Sequence, residues 1–328
     1  MKKFLRFLLR GFLALTALLA VLAGLFVYFL YTPAPELPQL SGSLTKSSIE
    51  VAGMTRSYRT YVPKDLPKGA PLVLVMHGSG EGPGQIRVGT GYAFERLADQ
   101  HGFALAYPKS YGSDWNDCSR IGDKEFNGVR SDDVGFLSAL VDKMVAELAL
   151  DPARVFATGV SNGGSMALRL ALEQPSRYKA VAAVVANVPA PENFQCQPAA
   201  QKATSVMIMN GTEDPLVPYA GGEINLLGLF YKGGEIISSR ASAQYFADWA
   251  QLAGAPQTSE KAVTEGVRVE QNRWRNQEGK TEVELVTIHG GGHGLPQPYS
   301  QRPRLLGPSP MEPNGPAMIW AFFARQPK

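Results

Sequence analysis

Histidine and cysteine are scarce in this chain, which has four of the first and two of the second among 328 residues. His77, His101, His289 and His293 form no H-E-x-x-H pair, and Cys118 and Cys196 form no C-x-x-C, so no metal-ligand spacing is present. The glycine-rich runs fit neither a P-loop nor the G-x-G-x-x-G of a dinucleotide fold. The expectation is chemistry without metal or cofactor. A strong charge of one sign is also missing. The formal net charge is +3, but Lys2, Lys3, Arg6 and Arg10 supply four of the 32 basic residues, leaving 28 against 29 acidic ones. That balance gives no electrostatic footprint for nucleic acid. There is no internal repeat and no second domain boundary beyond the N-terminal segment.

Charge is wholly absent from Gly11 to Tyr31, a run of 21 residues. As a helix rising about 1.5 Å per residue, this run spans roughly the 30 Å hydrocarbon core of a bilayer. It lacks the polar face a surface helix of a globular domain would need. Basic residues precede it, which orients the N-terminus to the cytoplasm, with Tyr28 and Tyr31 at the outer interface. Residues 1–31 therefore read as a basic segment and signal anchor, holding the rest of the chain outside the cytoplasm, periplasmic or extracellular. The competing reading is a cleaved signal peptide and a secreted protein. Against it, the run is longer than an h-region and ends in Phe-Leu-Tyr-Thr-Pro rather than in small residues. Residues 32–46 are rich in Pro, Ser and Gly and suit a tether, and residues 47–328 form the remaining domain.

Within that domain, Ser48–Met54 and Arg56–Pro63 read as an antiparallel leading hairpin, and Leu72–Met76 as a strand buried on both faces. Helices are expected at Tyr92–His101, Asp132–Leu150, Gly163–Gln174, Ser238–Gly254 and near Gly315–Ala324. Strands are expected at Phe103–Tyr107, Arg154–Gly159, Ala180–Ala186, Ser205–Asn210 and Glu282–Ile288. The alternation implies an α/β fold with a mostly parallel sheet and helices on both faces.

Gly159-Val160-Ser161-Asn162-Gly163 fits G-x-S-x-G between an expected strand and an expected helix, the context of a nucleophile elbow. Asp214 follows the strand ending at Asn210, and His293 lies in a glycine loop after the strand ending at Ile288. Ser161, Asp214 and His293 thus occur in the order of a hydrolase triad. His289 competes with His293, but it ends an apolar strand, whereas the glycines around His293 let its loop fold over the elbow. Met76-His77-Gly78-Ser79-Gly80 follows the first buried strand. There Ser79, with Gly80 second, would join the backbone N–H of Asn162 in an oxyanion hole. Glu213 neighbours the acid but points differently. Asp132 and Asp133 read as a helix cap with Ser131, and Asn210-Gly-Thr is a poor glycosylation site at a strand end.

Taken together, HGSG, GVSNGG, SDDVGF at 131–136, GTEDPLVPYAGG and GGGHGLP resemble the polyhydroxybutyrate depolymerase and feruloyl esterase-like group of α/β hydrolases, over about residues 47–325. The resemblance implies an α/β-hydrolase fold, with Ser161 as nucleophile, Asp214 as orienting acid and His293 as base. It implies a serine esterase acting through an acyl-enzyme on 3-hydroxybutyrate oligomers or on aryl or feruloyl esters. Leu295 stands where the family usually carries a tryptophan two residues after the histidine, which makes it a candidate pocket wall, and Trp115 is a candidate pocket aromatic. Glu223–Lys232 looks like an insertion, either a packed hairpin or an apolar lid.

Two rival functions remain open at this level: a membrane-tethered binding protein without turnover, and a peptidase or acyltransferase using the same triad. Cys118 and Cys196 lie beyond the apolar run, on loops at one sheet edge. They are either bridged there or two free thiols.

Overall fold

Leu72–Met76, Val155–Val160 and Ala180–Val184 bury every one of their residues, as strands covered on both faces must. In the computed structural model these segments form the centre of a ten-stranded sheet. The structure describes residues 2–120, 125–126, 129–199, 203–226, 228, 232–264, 266–276 and 281–327.

The sheet contains β1 (Ser43–Val51), β2 (Met54–Val62), β3 (Leu72–Met76), β4 (Ala104–Pro108), β5 (Val155–Val160), β6 (Ala180–Val184), β7 (Ser205–Gly211), β8 (Gln257–Thr264), β9 (Val267–Arg275) and β10 (Glu282–His289). Their spatial order is β1-β2-β4-β3-β5-β6-β7-β10-β9-β8. From β4 to β10 all neighbours are parallel, and the two edges are antiparallel. This is the mostly parallel arrangement expected from the alternation of elements.

Period-two alternation splits the core into two layers. Leu72, Leu74 and Met76 of β3 face one layer, where α4 (Asp133–Leu148), α5 (Asn162–Glu173) and α6 (Ser239–Trp249) pack. Val73 and Val75 face the other, against α2 (Pro83–Gly89), α3 (Ala93–His101) and α7 (Gly315–Ala324). The parallel strands therefore bring all their C-terminal loops to one edge, where ligands bind in open α/β sheets.

Three local findings differ from the sequence reading. Strands β8 and β9 carry no apolar run, since QTSEKAVT and VRVEQNRWR alternate with charge and lie at an exposed edge, so they were not anticipated. The hairpin opens at Ser43, inside the stretch read as tether. Ser41 is fastened there by its N–H and Oγ to Asp99, at 2.7 and 2.8 Å. Asp132 caps α4, accepting from Gly135 N at 2.7 Å, but Asp133 is no cap. It is buried and pairs with Arg56 at 2.5 Å, while its other oxygen accepts from Asn116 N at 2.8 Å. Breaking such a pair costs about 3–5 kcal/mol because a lone charge stays buried.

The N-terminal helix α1 runs from Lys2 to Leu30 and is exposed along its described length. Its length and composition suffice to cross a membrane. Its C-terminal end meets the turn Arg304–Leu306, where the Arg304 guanidinium stacks over Tyr28 at 4.5 Å.

Candidate active site

The turn from β5 to α5 is tight enough to dictate its residues. Ser161 sits at φ 57°, ψ −125°, a left-handed conformation that costs a non-glycine residue on the order of 1–3 kcal/mol. A Cβ at position 159 would fall 2.2 Å from the Gly163 carbonyl oxygen, and one at 163 would fall 2.5 Å from the carbonyl oxygens of Met76 and His77. Only glycine fits at either place. Ser161 is thereby lifted out of the sheet at the mouth of a cavity of about 310 Å³, which His293, Ser79 and Asn162 also line.

The acid loop leaves β7 and turns at Asp214, which is buried, whereas Glu213 is exposed. One Asp214 oxygen accepts from Leu216 N and Val217 N, both at 2.8 Å. The other lies 2.7 Å from His293 Nδ1. A carboxylate acceptor there fixes the tautomer with the proton on Nδ1 and leaves Nε2 as the basic nitrogen. The histidine loop is strapped from behind, since Gly292 N donates to Pro308 O and His293 N to Leu306 O, each at 2.7 Å. His289 is elsewhere, hydrogen-bonded to Glu270 on the antiparallel extension.

The turn after β3 approaches the elbow closely, a Cβ on Gly78 being 3.5 Å from Ser161 Cβ. Gly78 N donates to Glu81 at 3.3 Å and Gly80 N to Ser113 O at 2.9 Å, so both flanking N–H groups are spent. This removes Gly80, the second choice for the oxyanion donor, and leaves Ser79 between them. His77 braces the turn with Nδ1 2.8 Å from Gly78 O and Nε2 accepting from Ser110 N at 3.2 Å. Burial pulls its pKa down, which keeps the ring neutral in this pairing.

Trp115 is not a pocket wall. It is wholly buried, donates Nε1–H to His77 O at 3.0 Å, and donates its backbone N–H to Asn162 Oδ1 at 2.6 Å. Its indole needs a partner when buried, and the carbonyl under the oxyanion turn supplies it. Leu295 is not a wall either: it lies in the core beside α7, 2.7 Å from where a Cβ on Gly315 would stand. Part of the cavity wall is instead made by residues that carried no motif. Glu81 and Arg302 form an ion pair at 2.7 Å across 221 positions of sequence, a pairing no local pattern could reveal. Asp117 accepts from Asn162 Nδ2 at 2.9 Å and from Ser119 N and Oγ. Burial pushes its carboxyl upward despite those donors. The only sequence signal for it is adjacency to Cys118.

Cys118 and Cys196 are bonded, with Cα atoms 4.8 Å apart. The bridge joins the Asp117 loop to the strap at 193–195, and Gln195 N donates to Cys118 O at 2.8 Å. Of the insertion, Leu227, Leu229, Phe230 and Tyr231 lie outside the described residues, as does any lid they would form. Its base is a hairpin, with Ile224 N donating to Gly234 O and Gly233 N to Ile224 O, and Ile224 and Leu226 line the cavity.

Among the described residues one group has metal-like donors, Glu260, Glu270 and His289, within 4.8 Å of one another. Arg268 pairs with Glu260 at 2.8 Å and Arg240 with Glu270 at 3.2 Å. Those cations already neutralise the carboxylates, so the group is a surface ion-pair network. Asn210 is buried and bonded to Asn187 and Ser239, which agrees with discounting it as a glycosylation site.

Comparison with known proteins adds four findings. A family model described as Esterase PHB depolymerase matches residues 56–219. NocK of Nocardia uniformis subsp. tsuyamanensis, which carries an esterase designation, is 31% identical over 84% of this chain and 81% of its own. Poly(3-hydroxyalkanoate) depolymerase C of Paucimonas lemoignei is 26% identical over 72% of this chain, which spans 58% of that protein. An acetyl xylan esterase from Aspergillus awamori superposes with a TM-score of 0.57 at 16% identity, covering 77% of this chain and 95% of its own. That likeness speaks to the fold.

Proposed function

The chain belongs to the Esterase PHB depolymerase family and is a serine carboxylic-ester hydrolase of the α/β-hydrolase fold, and from that premise we propose that Ser161, Asp214 and His293 carry its chemistry. The observation behind this is the 2.7 Å contact of His293 Nδ1 with Asp214, in a cavity that Ser161 shares from a strained elbow. His293 Nε2 takes the Ser161 proton as Oγ attacks the ester carbonyl carbon. The negative charge that develops on the carbonyl oxygen is held by the N–H groups of Ser79 and Asn162, the latter at the N-terminus of α5. The tetrahedral species collapses, His293 passes its proton to the departing alkoxide, and the alcohol leaves an acyl-Ser161. Water repeats the steps, giving its proton to His293, and the acid is released with Ser161 restored.

The substrate range follows from the cavity, whose volume lies at the low end of small-molecule sites. Short acyl esters and oligomers threaded end-on suit it, as do small aryl esters. Binding without turnover is the less favoured rival, because a strained elbow with an oriented histidine has no use in a scaffold. A fluorophosphonate probe tests the proposal. Labelling is expected at the peptide containing Ser161, whereas folded protein that takes no label would reject an esterase site there.

Residues 1–31 are proposed to remain as an anchor, with the catalytic domain, from the hairpin that opens at Ser43 onward, on the far side of the membrane. The exposed helix α1 supports this, as does the stacking of Arg304 on Tyr28, which joins the outer helix end to a turn bearing the cavity residue Leu306. Full-length protein should stay in the membrane pellet after an alkaline carbonate wash and retain its N-terminal peptide by mass. A mature chain beginning beyond residue 31 would instead establish cleavage.

A further inference from the structure

The two oxyanion donors are both held by a segment that the mechanism does not use, the loop of residues 113–117. It grips the turn after β3 on either side of Ser79: Trp115 Nε1–H donates to His77 O at 3.0 Å, and Gly80 N donates to Ser113 O at 2.9 Å. The same loop grips the side chain of Asn162, the first residue of α5. Asn162 Oδ1 accepts from Trp115 N at 2.6 Å, while its Nδ2 donates to Asp117 Oδ2 at 2.9 Å and to Trp115 O at 3.3 Å. The orientation of this amide is determined, because a backbone N–H can only donate and a carboxylate can only accept.

The loop is itself anchored from behind. The other Asp117 oxygen accepts from Ser119 N at 2.8 Å and Ser119 Oγ at 2.6 Å. Asn116 O accepts from Arg169 Nη1 of α5 at 2.6 Å, Asn116 N donates to the buried Asp133, and Cys118 is bonded to Cys196. Such anchoring matters because an oxyanion hole acts through donors aimed before the charge develops, within about 0.5 Å of the productive geometry. Ser79 and Asn162 follow different strands, β3 and β5. Their mutual placement therefore needs a third element, and the loop is bonded to both.

We propose that Trp115 and Asp117 are positioning residues for the oxyanion hole, acting through the Asn162 side chain and the turn at Ser79 to fix the two backbone donors relative to each other. The inference rests on the esterase reading above and adds to it residues that touch no reacting atom. Its consequence is a particular kinetic pattern. Releasing the Asn162 side chain leaves the backbone N–H present but poorly aimed, so the loss falls on the transition state and not on substrate binding.

Asn162→Ala in the full chain makes the first test. Its kcat on p-nitrophenyl butyrate is expected to fall about ten- to hundredfold, less than the roughly 10²–10³ for outright loss of an oxyanion donor, with KM within about threefold. Inhibition by butylboronic acid, whose tetrahedral adduct on Ser161 places an oxygen in the hole, should weaken by about the same factor as kcat/KM. A reciprocal exchange makes the second test. Asp117→Asn alone sets its NH₂ group against that of Asn162, and Asn162→Asp alone sets two carboxylate oxygens at the 2.9 Å contact. Together they restore one donor and one acceptor without changing the net charge, and the double variant should recover at least about tenfold in kcat over Asn162→Asp. Thermal melts verify folding, and Asp117→Asn serves as the reference if Asn162→Asp does not fold. A folded Asn162→Ala enzyme with wild-type kcat, a loss of activity without weaker boronic acid binding, or a double variant no better than the single one overturns the positioning role. A wild type that neither cleaves the ester nor takes a fluorophosphonate label defeats the esterase reading itself, which separates the two failures.

Discussion

Ser161→Ala is expected to lower kcat on p-nitrophenyl butyrate by roughly 10⁴- to 10⁶-fold while the protein stays folded. The magnitude follows from what is removed. Without Oγ there is no acyl-enzyme, so hydrolysis must proceed by direct attack of water with only the oxyanion donors and substrate binding left to help. The fold should survive because the strain at position 161 is held by its surroundings: Gly159 and Gly163 permit the turn, and Ser161 N donates to Val184 O at 2.9 Å whatever the side chain. Steady-state kinetics with active-site titration and a thermal melt make the comparison. Ser79 and Ser165 line the same cavity, so a loss of tenfold or less would point to one of them as nucleophile and reject Ser161.

Much of this site was legible in the sequence because its parts are local. An elbow is five consecutive residues whose sterics allow little else, and a buried parallel strand is a continuous apolar run, so G-x-S-x-G on the strand Val155–Val160 carried the position of Ser161 at the cavity mouth. Asp214 and His293 were readable for the same reason, each lying in a loop just beyond a strand end. The walls were not legible. Trp115 and Leu295 look like pocket residues from composition and family pattern, yet Trp115 turns inward because its indole N–H finds the His77 carbonyl, and Leu295 because α7 covers it. Arg302 meets Glu81, and Asn210 fixes Asn187, through contacts between distant loops that no window of sequence contains. The edge strands β8 and β9 escaped for a related reason: charged, and in β8 largely exposed, they give no apolar signal, and the pairing of β9 to β10 and of β8 to β9 supplies the order. Asp133 shows the limit of local rules. Ser-Asp-Asp reads as one cap, but only Asp132 caps, and Arg56 draws its neighbour into the core.

Asp214→Asn is the second large effect, expected to lower kcat by roughly 10³- to 10⁴-fold with little change in melting temperature. The reason lies in how one oxygen must replace two. In the native protein Oδ1 accepts from Leu216 N and Val217 N, and Oδ2 faces His293 Nδ1. Asparagine offers a single acceptor, and the two backbone donors compete for it. Placing the amide oxygen there keeps the turn intact but points the NH₂ group at His293. Nδ1 must then accept, the ring proton moves to Nε2, and the nitrogen that should deprotonate Ser161 no longer has a free lone pair. The imidazolium formed during attack also loses its carboxylate partner. Asp214→Ala removes both functions and should additionally destabilise the fold by about 1–3 kcal/mol, because the N–H groups of Leu216 and Val217 lose their acceptor. The contrast between the two variants is the diagnostic: comparable activity losses with unequal melting temperatures separate orientation of the base from support of the turn. An Asp214→Asn enzyme within tenfold of wild type would mean that His293 is oriented by some other group.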